Sequence, residues 1–214
     1  MMIKHYLKVA FRNLAKYKVQ SIVSILGLAV GFVCFALSTL WIRYEMTYDT
    51  FHEGAERIYL VRAHYAHEPG KISNSTPYPL ADYLQKGNPE IEAMASTSVQ
   101  KVKFRVKDTE KDVVSATADS VLMNFFNIRV LRGTVNFLKG TNGEIAITEE
   151  FSKRIFGEEE ALGREVEVSG HASKVGAIVS GWSSHSNIPY SILTSARHYT
   201  QWGSANENLF VRIR

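Results

Sequence analysis

The longest uninterrupted apolar stretch of the chain runs from Val19 to Ile42 and contains no charged residue. As an α-helix, this segment would extend roughly 36 Å, which exceeds the roughly 30 Å of a bilayer's hydrocarbon core. The best later apolar run, Val175 to Val179, is only long enough for a strand. The pattern therefore predicts one transmembrane helix followed by a domain in water.

The residues before this segment have the periodicity of an amphipathic helix over positions 3–17. One side is apolar, and the other carries a stripe of four cations: Lys4, Lys8, Arg12 and Lys16. This arrangement suits a helix lying in the headgroup region, with its cations toward anionic membrane lipids. Cations before a membrane helix also favour a cytoplasmic N-terminus, so we expect the following residues to lie outside the inner (plasma) membrane.

A cleaved signal peptide is the main alternative interpretation of this N-terminal region. The apolar segment is longer than a signal peptide requires, the preceding basic segment is long and helical, and no A-x-A cleavage motif follows. A lipoprotein signal does not fit either, because Val33 precedes Cys34, where a small residue is needed. We therefore expect the apolar helix to remain as a membrane anchor.

Small residues share one face of the predicted membrane helix. Gly27 and Gly31 form a GxxxG motif, and Ser24 lies one turn earlier. Small side chains let a second helix approach closely, so this face is a candidate for helix packing in the membrane. Gly is also common in membrane helices, and GxxxG often arises by chance, so a motif without a packing role stays an alternative.

Beyond the membrane helix, short strand-like segments are interspersed with helical patterns. The predicted strands are Arg57 to Tyr65, Ile91 to Ser98, Lys101 to Lys107, Asp112 to Ala118, Ile128 to Leu131, Glu144 to Ile147, Arg164 to Val168, Lys174 to Ser180 and Leu209 to Ile213. The predicted helices are Thr76 to Lys86 with Thr76 as its cap, Ser120 to Phe126, and Glu149 to Phe156 between the cap Thr148 and the terminator Gly157. The loops include a polar hairpin over Lys107 to Lys111, turns at Gly140 to Gly143 and Ser169-Gly170, and an extended segment over Asn187 to Tyr190.

This order predicts an α+β domain with mixed, mostly antiparallel strand pairing. The predicted organisation is a cytoplasmic amphipathic basic helix at 1–18, a transmembrane helix at 19–43 and an extracytoplasmic α+β domain at 44–214.

Charge and cysteine content exclude some classes of function. The chain has a formal net charge of +4, but five cations with no acid precede the apolar segment, so the rest of the chain is close to neutral. A nucleic-acid-binding domain would carry its cations across a folded face, so we expect no nucleic-acid partner. The single cysteine, Cys34, lies inside the apolar segment, which leaves no intrachain disulfide.

Two local clusters resemble sites of chemistry without completing one. His64, His67 and Glu68 lie close together, but at a strand end entering a Pro-Gly turn, which separates the rings that a metal would need. Ser183, Ser184 and His185 combine hydroxyls and imidazole but lack the G-x-S-x-G elbow of hydrolases. No phosphate-binding loop is present, so we expect no catalysis, no metal and no cofactor.

Several stretches, taken in order, resemble the MacB/FtsX-type ABC transporter permeases, in particular their Bacteroidetes-like members. The first are F-R-N-L-A-K-Y-K at 11–18 and S-I-L-G-L-A-V-G at 24–31, followed by Y-D-T-F-H at 48–52 and R-I-Y-L-V at 57–61. Further on come A-D-S at 118–120, F-F at 125–126, I-T-E at 147–149, F-G at 156–157, A-L-G at 161–163 and H-S-N-I-P-Y at 185–190. The segment V-G-A-I-V-S-G-W at 175–182 departs from the family's usual pattern, which puts its local register in doubt.

The resemblance implies a MacB-like periplasmic core domain and a role in transport. Such permeases pair with an ABC ATPase subunit and with another permease copy or half, and they export molecules or transmit motion to the periplasm. The family places three further membrane helices after this domain, so the resemblance implies that the chain is incomplete at its C-terminus.

The resemblance also suggests residues that connect the membrane helix to the domain. Tyr48, Asp49, Phe51, His52 and Arg57 come from the matching motifs, and we expect a structural role for them at this junction. Two other classes remain open: a single-pass anchored sensor whose domain binds a ligand, and an anchored hydrolase that uses Ser183, Ser184 or His185.

Overall fold

We describe the protein from a computed structural model of residues 2–66, 70–107, 109–182, 186–197, 200–203 and 205–214, with the backbone alone at 2–4, 7, 11 and 205–207. The chain forms two compact units, Met1–Tyr48 and Asp49–Arg214. The two are described separately.

The first unit consists of two helices, α1 (Met2–Lys16) and α2 (Lys18–Met46). The helical path breaks at Tyr17, where the backbone leaves the helical region at φ −105° and ψ 57°. None of the α2 residues is buried in the structure. By length and composition, α2 could cross a membrane, and among the described residues it is the one helix that could. It continues past the predicted end at Ile42 because Arg43, Tyr44 and Glu45 are compatible with helix.

The second unit contains three further helices, two 3₁₀ helices and thirteen strands within the described residues. The helices are α3 (Leu80–Gly87), α4 (Ser120–Phe125) and α5 (Glu149–Phe156), and the 3₁₀ helices are Ala55–Arg57 and Val135–Lys139. The strands are β1 (Ile58–Val61), β2 (Ala63–His64), β3 (Ile72–Ser73), β4 (Thr76–Pro77), β5 (Ile91–Thr97), β6 (Val99–Val106), β7 (Thr109–Ala118), β8 (Val130–Gly133), β9 (Glu144–Thr148), β10 (Glu165–Val168), β11 (His171–Val179), β12 (Ile192–Ser195) and β13 (Ala205–Ile213).

A small sheet brings together strands from both ends of this unit. Strand β13 pairs antiparallel with β1, β4 and β5, so it is the centre of a four-stranded sheet. Strands β6 to β12 form a second sheet and are inserted in the chain between β5 and β13. The domain therefore has two layers of sheet built from nested segments.

The second sheet closes on itself. Its strand order is β10-β6-β7-β12-β9-β11, and β10 pairs again with β11, while β8 continues the sheet beside β11. Six strands therefore form a closed barrel, which leaves no free edge among them. Most pairings are antiparallel, but β12 runs parallel to β7, and β11 runs parallel to β9.

The two faces of the barrel wall pack into two separate cores. Inside the barrel, residues such as Phe104, Ile147 and Ile192 surround Phe151 of α5, whose ring meets that of Phe104 at 5.0 Å. Outside, apolar residues of the wall pack against α4, Phe137 and the small sheet. Alternate residues of β9 and β12 thus face different cores, as the two-residue period of a strand requires.

The structure changes several predicted element boundaries. Thr76 does not cap a helix: it is buried and pairs with β13, and α3 begins only at Leu80, after Pro79. The hairpin between β6 and β7 is tighter than predicted, because Val106 already pairs with Thr109 and cross-strand ion pairs to Glu110 continue the ladder.

Two other segments also differ from prediction. The predicted strand from Arg57 splits into β1 and β2, with Arg57 itself in a 3₁₀ turn. Strand β12 was not predicted, although it joins β7 to β9 in the barrel. The segment at 175–182 remains in the sheet as part of β11, and a register shift between Val175 and Ala177 absorbs its unusual sequence.

Candidate functional site

The predicted junction residues belong to both units of the chain. Tyr48 ends the first unit, where its ring packs edge-on against that of Tyr44 at 5.6 Å. Asp49, Phe51, His52 and Arg57 begin the second unit. The structure groups Asp49, Phe51 and His52, whereas Arg57 contacts a different part of the domain.

Asp49 fixes a distant loop through its carboxylate. The hydroxyl of Ser186 donates to Oδ1 at 2.5 Å, and the side-chain amide of Asn187 donates to Oδ2 at 2.8 Å. The backbone N–H of Asn187 lies 3.2 Å from both oxygens. Asp49 holds this position with φ at 55°, a left-handed conformation that Asp tolerates better than most residues. The start of the domain is thereby tied to residues about 140 positions later by charge-assisted hydrogen bonds.

His52 lies in a cluster of aromatic rings. Its ring centroid is 4.2 Å from that of Phe51, 4.9 Å from Phe126 and 4.8 Å from Trp182. Trp182 in turn packs edge-on against Tyr190 at 4.9 Å. Burial lowers the pKa of the His52 imidazole, and the nearby Asp49 carboxylate opposes only part of that lowering. The cluster therefore favours a neutral His52.

Tyr190 anchors the far side of this cluster. Its hydroxyl donates to the backbone oxygen of Ser180 at 2.9 Å, and burial raises the pKa of the phenol. Since the ring is buried and its one polar atom is hydrogen-bonded, Tyr190 is a well-satisfied core residue.

Arg57 joins a charged group at the edge of the small sheet. Its guanidinium lies 2.9 Å from Glu92, which also lies 4.0 Å from the guanidinium of Arg212. Arg212 packs over the ring of Phe125 at 4.6 Å and donates to the backbone oxygen of that residue. Arg57 therefore contacts strands β5 and β13, and its exposed ion pair contributes little to stability.

A cavity of about 470 Å³ lies beside the aromatic cluster. Its walls are largely apolar and come from both sheets: Ile58, Leu60, Val99, Phe126, Trp182 and Phe210. Its polar lining includes Arg62, Asn74 and Asn208. The size and the mixture of apolar walls with a few polar groups are typical of small-molecule sites.

The candidate helix-packing and lipid-facing residues lie in the first unit. A Cβ added at Gly27 or Gly31 of α2 would meet no other group within 4 Å, so both positions are open in this structure. Lys8, Arg12 and Lys16 are solvent-exposed on α1, and the side chain of Lys4 lies outside the described part. Ser24 is likewise exposed.

The candidate chemical clusters are only partly covered by the structure. Ser183, Ser184, His185, His67 and Glu68 lie outside the described residues. His64 lies in β2, where it pairs with Ile72 of β3. Across the residues that the structure does describe, no three His, Cys, Asp or Glu side chains come together as metal ligands would.

Sequence comparison identifies the family of this chain. Residues 21–214 match the profile of the MacB-like periplasmic core domain. The chain belongs to the MacB-like periplasmic core domain family. This assignment confirms the resemblance inferred from the order of motifs along the sequence, and it covers both most of α2 and the whole second unit. No curated protein sequence matches the chain.

Solved structures support the same family at the level of fold. The MacB-like chain resembles a domain of a protein described as a permease from Porphyromonas gingivalis, with 18% identity, a TM-score of 0.63, and coverage of 76% of this chain and 77% of the other. It also resembles the extracellular domain of the noncanonic ABC-type transporter YknZ from Gram-positive bacteria, with 17% identity, coverage of 73% and 82%, and a TM-score of 0.55.

A third similar structure is the periplasmic region of MacB from Actinobacillus actinomycetemcomitans. It shares 14% identity with the MacB-like chain, with coverage of 73% of each chain and a TM-score of 0.54. At these identities the likeness concerns the fold alone. The predicted fold class, an N-terminal apolar helix followed by a mixed α+β domain, is confirmed.

Sequence reasoning missed the partners of the junction residues. The Y-D-T-F-H and H-S-N-I-P-Y segments were both recognised, but nothing in the sequence indicated that Asp49 binds Ser186 and Asn187. The available signal was chemical: an Asp at a positive-φ position and an S-N pair, each rich in local hydrogen-bonding capacity, both fall in matching motifs.

Proposed function

We propose that this chain is the membrane (permease) subunit, or part of one, of a MacB/FtsX-like ABC transporter. In this proposal it exports substrate or transmits motion to the periplasm, while a separate ABC ATPase subunit hydrolyses ATP. A second permease copy or half completes the assembly. The observation that carries the proposal is the family match over residues 21–214, which joins an apolar helix to a periplasmic-type domain in one chain.

The proposed location is the inner (plasma) membrane, with the N-terminus in the cytoplasm. Exposed cations on α1 support this orientation, because cations beside a membrane helix are retained on the cytoplasmic side. Lys4, Lys8, Arg12 and Lys16 would contact anionic lipids, and the face of Ser24, Gly27 and Gly31 would receive another helix.

Cysteine labelling tests this orientation. In a Cys34→Ser background, single cysteines are introduced as Lys16→Cys in α1 and Lys153→Cys in α5, and intact spheroplasts are treated with a membrane-impermeant maleimide. The proposal expects labelling of Lys153→Cys at once and of Lys16→Cys only after permeabilisation. The opposite pattern, or immediate labelling of both, would contradict it.

The junction residues are proposed to pass motion between the membrane helix and the domain. Asp49 holds the Ser186–Asn187 loop, and Phe51 extends the aromatic cluster, so this region is a stiff part of the domain base. In the complete transporter, Phe51→Ala and Arg57→Ala should impair export while ATP hydrolysis by the partner persists. Unchanged export by both variants would contradict this role.

A second role, ligand binding by an anchored sensor domain, is favoured by the cavity beside Trp182. N-phenyl-1-naphthylamine, an apolar dye of suitable size, should bind there and quench Trp182 fluorescence. Leu60→Trp should fill the cavity and abolish binding, whereas Leu131→Trp, at an exposed position, should not. Dye binding that survives Leu60→Trp would exclude the cavity as its site.

We also propose that the chain is not an enzyme. A fluorophosphonate probe, which labels activated serine nucleophiles, should not modify the purified chain. Labelling that disappears in Ser183→Ala or Ser184→Ala would favour the hydrolase alternative instead.

A further inference from the structure

The six-stranded barrel has one closed end and one open end. Helix α5 covers the first, where Phe151 completes the apolar interior. At the other end lies a cavity of about 580 Å³, lined by the β9 and β11 starts and by the β7, β10 and β12 ends. Barrel mouths are recurrent ligand sites because inward-facing side chains converge there.

Inward-facing positions change from apolar to polar toward this mouth. Along three neighbouring strands the sequence of inward positions is Val102, Gln100, Ser98 in and before β6; Val113, Ser115, Thr117 in β7; and Ile192, Thr194 in β12. The register places Gln100 and Ile192 beside Ser115, and Thr194 beside Thr117. The polar residues therefore form one continuous lining and not scattered surface positions.

Ser115 leaves a buried hydroxyl at the base of this lining. The residue is only 2% exposed, and among the described residues no group forms a hydrogen bond with its side chain. Its neighbour Thr117 accepts a hydrogen bond from the backbone N–H of Ser98 at 2.8 Å, which leaves the hydroxyl hydrogen of Thr117 able to donate. Buried hydroxyls normally have partners, so this lining is suited to a ligand rich in hydroxyl groups.

Two cations stand at the rim of the mouth. Lys139 and Arg197 both line the cavity, and neither forms an ion pair with any described residue. The hydroxyl of Ser195 donates to the backbone oxygen of Leu138 at 2.7 Å, which holds the segment bearing Lys139 against β12. Gly140 permits this approach, because a Cβ there would lie 2.9 Å from the Ser195 hydroxyl.

One acid completes the mouth. Glu144 lies at the start of β9, and its Oε2 is buried without a hydrogen-bond partner in the described part of the chain. A carboxylate in this position can accept hydrogen bonds from ligand hydroxyls, while the two cations leave the mouth with an excess of positive charge.

We propose that the barrel mouth binds an anionic oligosaccharide. Ser115, Thr117, Thr194 and Gln100 pair with the sugar hydroxyls, and Lys139 and Arg197 bind its carboxylates. The lining is too polar for an acyl chain or an apolar peptide, and two cations are too few for a nucleic acid, whose binding needs many phosphate contacts. This inference does not depend on the transport role proposed above.

The test compares a charged and a neutral tetrasaccharide by titration calorimetry on the full chain in detergent micelles. Tetragalacturonate should bind, and maltotetraose should bind about tenfold more weakly or not at all, because it lacks carboxylates. The double variant Lys139→Gln/Arg197→Gln should weaken tetragalacturonate binding about tenfold, and salt should weaken binding to the unchanged chain. Thr194→Val and Ser115→Ala, which remove single hydroxyls, should each weaken binding about fivefold.

Lys153→Gln is the matched control, because Lys153 is exposed on α5 at the closed end of the barrel. It should leave the affinity unchanged. Thr194→Val is half-buried and keeps the side-chain shape, so it reports on the lining even if Ser115→Ala unfolds. Absence of tetragalacturonate binding at millimolar concentration, equal binding of both sugars, or an equal loss in Lys153→Gln would each overturn the proposal.

Discussion

Asp49 shows how a single side chain connects distant parts of the domain. Its carboxylate receives hydrogen bonds from the Ser186 hydroxyl and from the side chain and backbone of Asn187. We expect Asp49→Ala to destabilise the domain by about 2–4 kcal/mol, because three donors lose a charged acceptor and Ser186 is buried. Urea denaturation of the full chain in detergent, followed by Trp fluorescence, measures this loss.

Two substitutions sharpen that measurement. Asp112→Ala removes an exposed carboxylate of β7 and should change the free energy of unfolding by less than about 0.5 kcal/mol. Asp49→Asn keeps the shape and one acceptor, so it should fall between the wild type and Asp49→Ala. Equal stability of Asp49→Ala and Asp112→Ala would mean that the hydrogen bonds contribute nothing net.

His52 makes the stability of the domain depend on pH. Burial lowers the pKa of its imidazole below the ordinary value of 6.5, so the unfolded chain binds a proton more readily than the folded one. Between the lowered folded-state pKa and 6.5, the free energy of unfolding should therefore fall as the pH falls. Thermal melting at pH 7.5 and pH 5.0 should show a larger decrease for the wild type than for His52→Phe, which keeps the aromatic contacts without a titrating group.

The outcome for His52→Phe decides whether this residue is responsible. Carboxylates also titrate in acid, but they do so in both proteins, so the difference between the two curves isolates the imidazole. Parallel curves would indicate that His52 is protonated equally well in the folded and unfolded chain.

At the scale of elements, locally coded features were predictable and long-range pairings were not. Helix α5 was predicted correctly because Thr148 caps it by accepting from the Phe151 N–H, and Gly157 ends it. Strand β12 was missed because four residues carry too little pattern, and its place is set by β7 and β9 far away in sequence. Thr76 and Pro77 carry a strong helix-start signal, which pairing with β13 overrides.

Strand β8 stays beside β11 only because Gly133 has no side chain. Gly133 has φ +87°, and a Cβ there would overlap the backbone oxygen of Gly176 and approach the Ala177 Cα to 2.8 Å. Gly133→Ala should therefore destabilise the domain by more than about 2 kcal/mol, through both backbone strain and forced separation of the strands.

Gly170→Ala separates those two contributions. Gly170 has nearly the same dihedral, φ +83°, but a Cβ there would meet nothing within 4 Å. Its substitution should cause only the backbone strain, about 1 kcal/mol. The difference between the two free energies of unfolding measures the steric effect on β8, and equal values would show that β8 moves without penalty.

At the scale of the whole molecule, both cores lie within the second unit. Their members all fall between Ile58 and Phe210, and no buried residue belongs to α2. A fragment of residues 49–214 should therefore be soluble and unfold in one cooperative transition. Differential scanning calorimetry of the fragment tests this, and a broad or absent transition would mean that the helical unit is needed for folding.

The family could be predicted from the sequence, but the candidate sites could not. Short motifs in a fixed order identified the MacB-like domain, because each motif is local. The closed barrel, the cavity beside Trp182 and the mouth around Ser115 depend on which strands meet, and pairings such as β10 with β6 join residues more than fifty positions apart. Polarity at Ser115 and Thr117 was visible in the sequence, but only closure of the barrel shows that it faces inward.

The nesting of the barrel between β5 and β13 has a consequence for how the chain folds. Pairing Ala95 with Phe210 closes a loop on the order of a hundred residues, which is entropically unfavourable while that loop is disordered. Once the barrel has formed, its own ends lie close together and the same closure joins nearly adjacent points. The refolding reaction should accordingly gain structure in the barrel first, and the small sheet should follow as a late and fast step.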